Sequence, residues 1–577
     1  MRLKPPVGKI KPTKVYFGKN PSNPTEFRGV DAMDPPRSIT DNYFWMRDDT
    51  RQDERVLSHI RAENSYAEQQ MQPLKGLQQS VYESMLGRLK ETDEDVPYLH
   101  GDFLYYSRTV EGLAYRIHCR KRGQEGTEEI LLDENDLAKG HEYSVVSDRV
   151  VSPDHGLMAF SWDTVGNEHY LLRIKDLQTG QLLPDSVDEI SGTIVWGGDN
   201  KIVFYTKLDD ESRPFELFAH VLGTPSTEDV LLYREEDQNF WMDIGKTQND
   251  AFFVMNLGSK ETSECHIIDL KSLTVAELTQ TGEPTQKQGE DIFQLTQKKD
   301  KEILQLIEGR RFGHRYEIEA HGNKFLIITN KDNAKCSKIC TAPIKTPGEK
   351  HWVDVKPYDP LIQIDSVTPF RDYVVISGRQ HGLEKIWTAP AAKLSDWSAL
   401  HFPEPAYSVN EGANFEFNND RVRLVFSSMV TPRRTFDYVF ADKSIVTLKQ
   451  QEVPNFDKEL YMIVRTEVAA RDGVNIPVSI VFQKSMLVDP SAPDKLEFKG
   501  GAQKLLLYGY GSYGACIDPT FDYKRITLLD HGIIYAIAHI RGGGEMGRPW
   551  LAYLHIYTGI LHIYTTISDA DDLDPLH

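Results

Sequence analysis

The sequence predicts a β-propeller of seven blades followed by an incomplete α/β domain. Seven short apolar runs begin at Phe103, Leu157, Ile202, Phe252, Phe325, Tyr373 and Val422, in steps of 54, 45, 50, 73, 48 and 49 residues. Turn residues separate them, and after most runs a loop leads into a second strand, as in Tyr170–Ile174 followed by Asp176-Leu177-Gln178-Thr179-Gly180. A period in the forties with several strands per repeat is the mark of a propeller, whose blades must stack to bury both faces. Two β-sandwiches are the alternative for this region. The second half of the reading rests on Leu505–Tyr508 and Ile533–Ile540, almost wholly apolar runs that each end in a glycine-rich turn. Such runs suit strands of a parallel sheet buried on both faces. Ligands and catalytic groups gather at that edge of an open α/β sheet.

Taken in order, residues 1–75 hold a proline-rich arm and then a helical pattern entered through Asp41–Arg47. Val56, Ile60, Tyr66, Leu74, Leu77, Val81, Met85, Leu86 and Leu89 recur near helical spacing. The Tyr43-Phe44-Trp45 cluster reads as core packing. Residues 76–450 form the propeller, and the polar stretch Gly282–Glu302 inside the longest step reads as a surface-loop insertion, which costs little. Residues 451–550 begin the α/β domain. Tyr461–Ala469, the Asp472-Gly473 turn and Ile476–Phe482 make a β-hairpin there. Residues 551–577, with L-H-I-Y-T written twice and an acidic end, read as a tail of different origin, such as a frameshift, an alternative end or an assembly error.

The chain has 577 residues, 40% of them hydrophobic, and a formal net charge of −20. That balance disfavours nucleic acid and attracts cationic ligands. The N-terminal stretch Met1–Pro12 is basic and broken by prolines, without a signal-peptide core, and no run reaches the roughly 18 apolar residues of a membrane span. Five cysteines, thinly spread, suggest a reducing compartment, so a cytosolic protein is expected, with no membrane partner. Cys336 and Cys340 share a strand-like run without a nearby pair to complete a zinc site, and read as structural.

Y-G-Y-G-S-Y-G at 508–514 and A-H-I-R-G-G-G-E-M-G at 538–547 resemble the prolyl oligopeptidase family of serine peptidases. The ending Ser512-Tyr513-Gly514 and His539 are most similar to its oligopeptidase B branch. Asp41–Arg47, the run from Val151-Ser152-Pro153-Asp154 to Thr179-Gly180, and Ala469–Gly473 with Ile476–Ser479 agree, so the resemblance covers roughly residues 25–550. It implies a seven-bladed propeller capping an α/β-hydrolase domain built from both chain ends, with the N-terminal helices packed on that domain. It also implies short peptides as substrates, cut after Arg or Lys, with no cofactor or metal.

Acyl transfer on this fold needs a serine on a sharp turn, a histidine, an acid and oxyanion donors. Tyr510 matches the family tyrosine whose hydroxyl helps to form the oxyanion hole. No G-x-S-x-G occurs, and Ser512, with Tyr510 two residues before it, is the nearest miss. In the family the nucleophile, acid and histidine follow the R-G-G-G-E-M-G motif. Here the match fades after Trp550, and Ser568, Asp571 and His577 are too tightly grouped to sit on the separate loops of a triad. The chain is therefore expected to be truncated before its triad and inactive as it stands. The alternatives are a non-catalytic propeller that binds a partner and a product that does nothing stable. Gly509, Gly511 and Gly514 also spell the dinucleotide fingerprint G-x-G-x-x-G, but that motif must open a helix, and Ala515–Pro519 disfavours one.

Overall fold

The computed structural model of the chain describes residues 4–23, 32–279, 297–298, 301–491 and 496–552. Chain contacts divide it into two units, Met1–Gly87 and Arg88–His577. In the first, Thr13–Phe17 pairs antiparallel with Arg37–Asp41, and two helices follow, Glu54–Met71 and Lys75–Leu86. Asp53 caps the first helix by accepting from the Arg55 N–H at 2.9 Å. A turn at Gln72–Leu74, with Pro73 at its start, separates the two. The expected helical spacing holds for Val56, Ile60 and Tyr66 and again for Leu77, Val81, Met85 and Leu86, whereas Leu74 lies in the turn and Leu89 beyond the second helix. Neither helix has a fully buried residue. The aromatic cluster differs from expectation: Tyr43 is exposed, and Phe44 and Trp45 are half-buried. Trp45 keeps its indole N–H near the surface, where it donates to the Lys9 carbonyl at 2.8 Å.

All seven apolar runs lie on strands. Five begin on the expected residue, as in Phe103–Thr109, Leu157–Asp163, Ile202–Leu208, Phe252–Gly258 and Tyr373–Gln380. The other two, Lys324–Thr329 and Arg421–Ser428, begin one residue earlier. Each has antiparallel neighbours on both sides. These strands are distributed over six sheets, because the 15-residue strand Leu182–Trp196 joins the second and third sets into one seven-stranded sheet. The turn at Asp176–Gly180 closes as its composition suggests. The Asp176 carboxylate accepts from the N–H groups of Gln178 and Thr179, and Gly180 takes a φ of 74°. Apolar cores lie between consecutive sheets: Phe204 and Leu217 pack with Phe253 and Met255, Val254 and Ile267 with Phe325 and Ile327, and Phe370 and Val375 with Leu424 and Phe436. Each fully buried side chain of this size contributes about 1.5–3 kcal/mol.

Most of Gly282–Glu302 lies outside the described residues, as do Ser568, Asp571 and His577. Cys340 sits on the strand Lys338–Pro343, but Cys336 falls in the turn before it rather than in a strand. Both are buried free thiols, and among the described residues no three His, Cys, Asp or Glu side chains are grouped to hold a metal ion. No helix among the described residues is long and apolar enough to cross a membrane.

The α/β part opens with the expected hairpin, Tyr461–Ala469 against Asn475–Gln483. Asn475–Gln483 pairs antiparallel with Ile534–Ala538, which pairs in parallel with Leu505–Gly509. The parallel pairing matches expectation, but burial on both faces holds for one strand and not the other. Ile534, Ala536, Ile537 and Ala538 are buried, while Leu505, Leu506 and Tyr508 are 37–41% exposed. Among the described residues Leu505–Gly509 is the sheet's edge, with no neighbour beyond it. The helix Tyr523–Asp530, capped by the Asp522 carboxylate, sets Ile526 and Leu529 against Val481 and Ile537.

Candidate functional site

The site is built where the two parallel strands end. Leu505–Gly509 runs into the loop that carries Tyr510, and Ile534–Ala538 runs into the glycine loop His539–Gly547. The loops lie back to back: the Gly514 N–H donates to the Gly542 carbonyl at 2.9 Å. Glycine is required at this contact. A Cβ on Gly511 would stand 2.9 Å from the Arg541 carbonyl oxygen, and one on Gly544 would stand 2.8 Å from the carbonyl oxygen of Gly514. Tyr513 and Gly514 both take positive φ, 60° and 75°, and reverse the chain. Tyr510 is 41% exposed. No helix opens at the G-x-G-x-x-G motif; the next one starts at Tyr523.

Glu545 ties the loops together from beneath. Its Oε1 accepts from the Ile517 N–H at 3.0 Å. Next in the loop, Asp518 receives both guanidinium nitrogens of Arg379 at 2.7 and 2.9 Å, joining the loop to the sheet strand Tyr373–Gln380. Glu384 stands 3.4 Å and Asp365 4.0 Å from the same guanidinium. Burial pushes the Glu384 carboxyl above its usual range, and the neighbouring Asp518 charge pushes it the same way. Asp365 is raised for the same two reasons, burial first and Asp518 after it, with Arg379 opposing.

Sequence reasoning missed one cluster beneath these loops. Ser479 Oγ is 2.8 Å from His539 Nε2, and the Glu545 carboxylate is 3.7 Å from His539 Nδ1. The residue types are those of a hydrolytic triad, but the arrangement is not one. The acid is beyond hydrogen-bond range, Ser479 and His539 are 0% exposed, and Glu545 is 1% exposed. Arg465 also donates to the Ser479 hydroxyl at 3.3 Å. No carbonyl carbon can reach an oxygen enclosed in this way, so the cluster holds the hairpin to the strand end. The signal for it was a histidine closing an apolar strand opposite a serine on the hairpin. Cys516 beside it is half-buried, and burial pushes its thiol up to about 11, which disfavours the reactive thiolate.

A second electrostatic feature comes from the first strands of the sheets. Asp148, Asp243, Glu317, Glu319, Asp365 and Glu411 lie on five such strands, and the carboxyl of each is pushed above its usual range, mainly by burial. Five of the six also act on one another. Asp243 and Asp365 raise Glu317, and Glu411 adds to the burial that brings Glu319 up to about 7.

Residues 24–451 match the family model described as the prolyl oligopeptidase N-terminal β-propeller domain. The chain belongs to the prolyl oligopeptidase family. It is 34% identical over 550 residues to dipeptidyl aminopeptidase BI of Pseudoxanthomonas mexicana, covering 92% of this chain and 70% of that protein. It is 32% identical to protease 2 of Moraxella lacunata, covering 88% of this chain and 69% of the relative. Among solved structures it superposes on oligopeptidase B from Trypanosoma brucei with covalently bound antipain, with a TM-score of 0.80 and 33% identity over 95% of this chain and 73% of the other. Oligopeptidase B from Leishmania major gives a TM-score of 0.82 and 31% identity at the same coverage. The propeller reading therefore holds at the level of the family fold, and the resemblance to oligopeptidase B is borne out.

Proposed function

We propose that this chain is the peptide-recognising and oxyanion-stabilising part of an oligopeptidase that cuts short peptides after Arg or Lys, and that it does not turn peptides over by itself. The mutually repelling carboxylates on the first strands carry the choice of substrate. A cationic side chain relieves both their burial cost and their repulsion, so a basic peptide is favoured over a neutral one. In this reading the strands close into seven blades around an axis lined by these acids. Tyr510 supports the hydrolytic half: an exposed phenol at the end of a parallel strand can donate to an oxyanion. The expectation of silence rests on the sequence having no G-x-S-x-G turn and on the enclosure of Ser479. The thinly spread free cysteines suit a reducing, cytosolic setting.

Fluorescence anisotropy with a labelled short peptide carrying a central Arg, beside the same peptide with Gln, tests the selection. The Arg peptide should bind more tightly, and added salt should erase the difference. Equal binding of both peptides at low salt would remove the basis for basic selectivity.

A further inference from the structure

An open cavity of about 470 Å³ lies where the loops around Arg311–His314 and Lys331–Lys335 meet Arg548. Its charge is opposite to that of the chain as a whole. Arg311, Lys331, Lys335 and Arg548 line it, with Asp332 as the one acid in the wall. That acid is engaged by Lys338 at 2.9 Å. Glu349 must serve both Arg311, at 2.9 Å, and Lys331, at 4.0 Å. Arg548 pairs with Glu261 at 2.8 Å, and Lys335 has no ion-pair partner among the described residues. Positive charge is therefore in excess around a concave space, in a chain whose formal net charge is −20. Arg315 beside it reports the same excess: burial first, and then the charge of Arg548, hold its guanidinium below the usual range.

One more group fits a ligand: Phe312, on the rim, is 89% exposed. Clustered guanidinium and ammonium groups in a cavity of this size match an oxyanion, because each can donate charge-assisted hydrogen bonds to its oxygens.

We propose that this cavity is a binding site for an oxyanion ligand, either a phosphate group or the terminal carboxylate of a short peptide. No residue of the Tyr510 loop lines it, and it does not depend on the peptidase reading. Isothermal titration of the chain with inorganic phosphate, with acetyl-Gly-Gly acid and with the corresponding amide tests it. Saturable binding of phosphate or of the acid, but not of the amide, is expected. Phosphate alone assigns the site to phosphate, the acid alone to a peptide end, and both to the shared chemistry. The double variant Lys331→Ala, Lys335→Ala should weaken binding by at least about tenfold, the loss of about one charge-assisted hydrogen bond, while Lys271→Ala leaves it unchanged. If the double variant melts early, Lys335→Gln, which has no ion pair to lose, must still weaken binding by about threefold or more. No saturable binding of phosphate or acid up to about 10 mM, or binding indifferent to these lysines, would overturn the proposal.

Discussion

Replacing Arg379 by alanine should loosen the Tyr510 loop far more than the loss of one surface ion pair would. The guanidinium is 9% exposed and stands among three carboxylates, with Asp518 at 2.7 and 2.9 Å, Glu384 at 3.4 Å and Asp365 at 4.0 Å. Its removal leaves Glu384 and Asp365, which burial already disfavours, without a counter-charge. Breaking a buried pair in this way costs about 3–5 kcal/mol. If the loop exchanges its amide hydrogens by local opening, that loss accelerates exchange over residues 510–522 by about 100-fold or more. The pH dependence has a fixed sign. Folded-state carboxyls held above their usual range favour the protonated form, so their contribution to stability is full at low pH and lost as pH rises through the folded value. The defect in Arg379→Ala should therefore be largest near neutral pH and shrink towards pH 4. Hydrogen–deuterium exchange read by mass spectrometry at both pH values measures this. An acceleration below about threefold at neutral pH, or a defect that grows in acid, would refute the argument.

Three further outcomes are expected. Glu319→Gln should match the parent protein in urea at about pH 4 and exceed it by about 3 kcal/mol at pH 8.5, because the Glu319 carboxyl, raised to about 7, loses its contribution as pH rises from the ordinary carboxyl range through that value. Gly511→Ala should destabilise by about 1–3 kcal/mol, seen as a lower melting temperature, since the new methyl meets the Arg541 carbonyl oxygen and Ile540 Cγ1, both at 2.9 Å. Ser479→Ala should cost about 1–3 kcal/mol in thermal unfolding by leaving His539 without its partner, and it should not change labelling by a fluorophosphonate.

The seven strands read as apolar runs between residues 76 and 450 share one property: they are interior to their sheets. Phe252–Gly258 and Tyr373–Gln380 have neighbours on both sides and cores on both faces, so they appear as continuous apolar runs. The first strands, such as Tyr316–His321 with Glu317 and Glu319, alternate polar and apolar residues and were not legible alone. The same rule misled at Leu505–Gly509, which is apolar in sequence yet forms an exposed edge among the described residues. An apolar run states what a strand needs covered, not what covers it. In the site, the glycines around Tyr510 were legible because a close backbone approach demands them. The Ser479–His539 contact was not, because the two residues are 60 positions apart and joined by sheet pairing.

By itself, this chain is proposed to bind basic peptides without cleaving them. The most direct measurement is turnover of a fluorogenic peptide with Arg at the scissile bond by the purified chain, run beside labelling with a fluorophosphonate. Removing the triad of a serine peptidase leaves only about 10³–10⁴-fold catalysis over water, far below ordinary detection for an amide. No turnover above buffer and no labelled serine are expected, with the Arg peptide still bound. Turnover together with a covalently labelled serine, both abolished when that serine is changed to alanine, would contradict it.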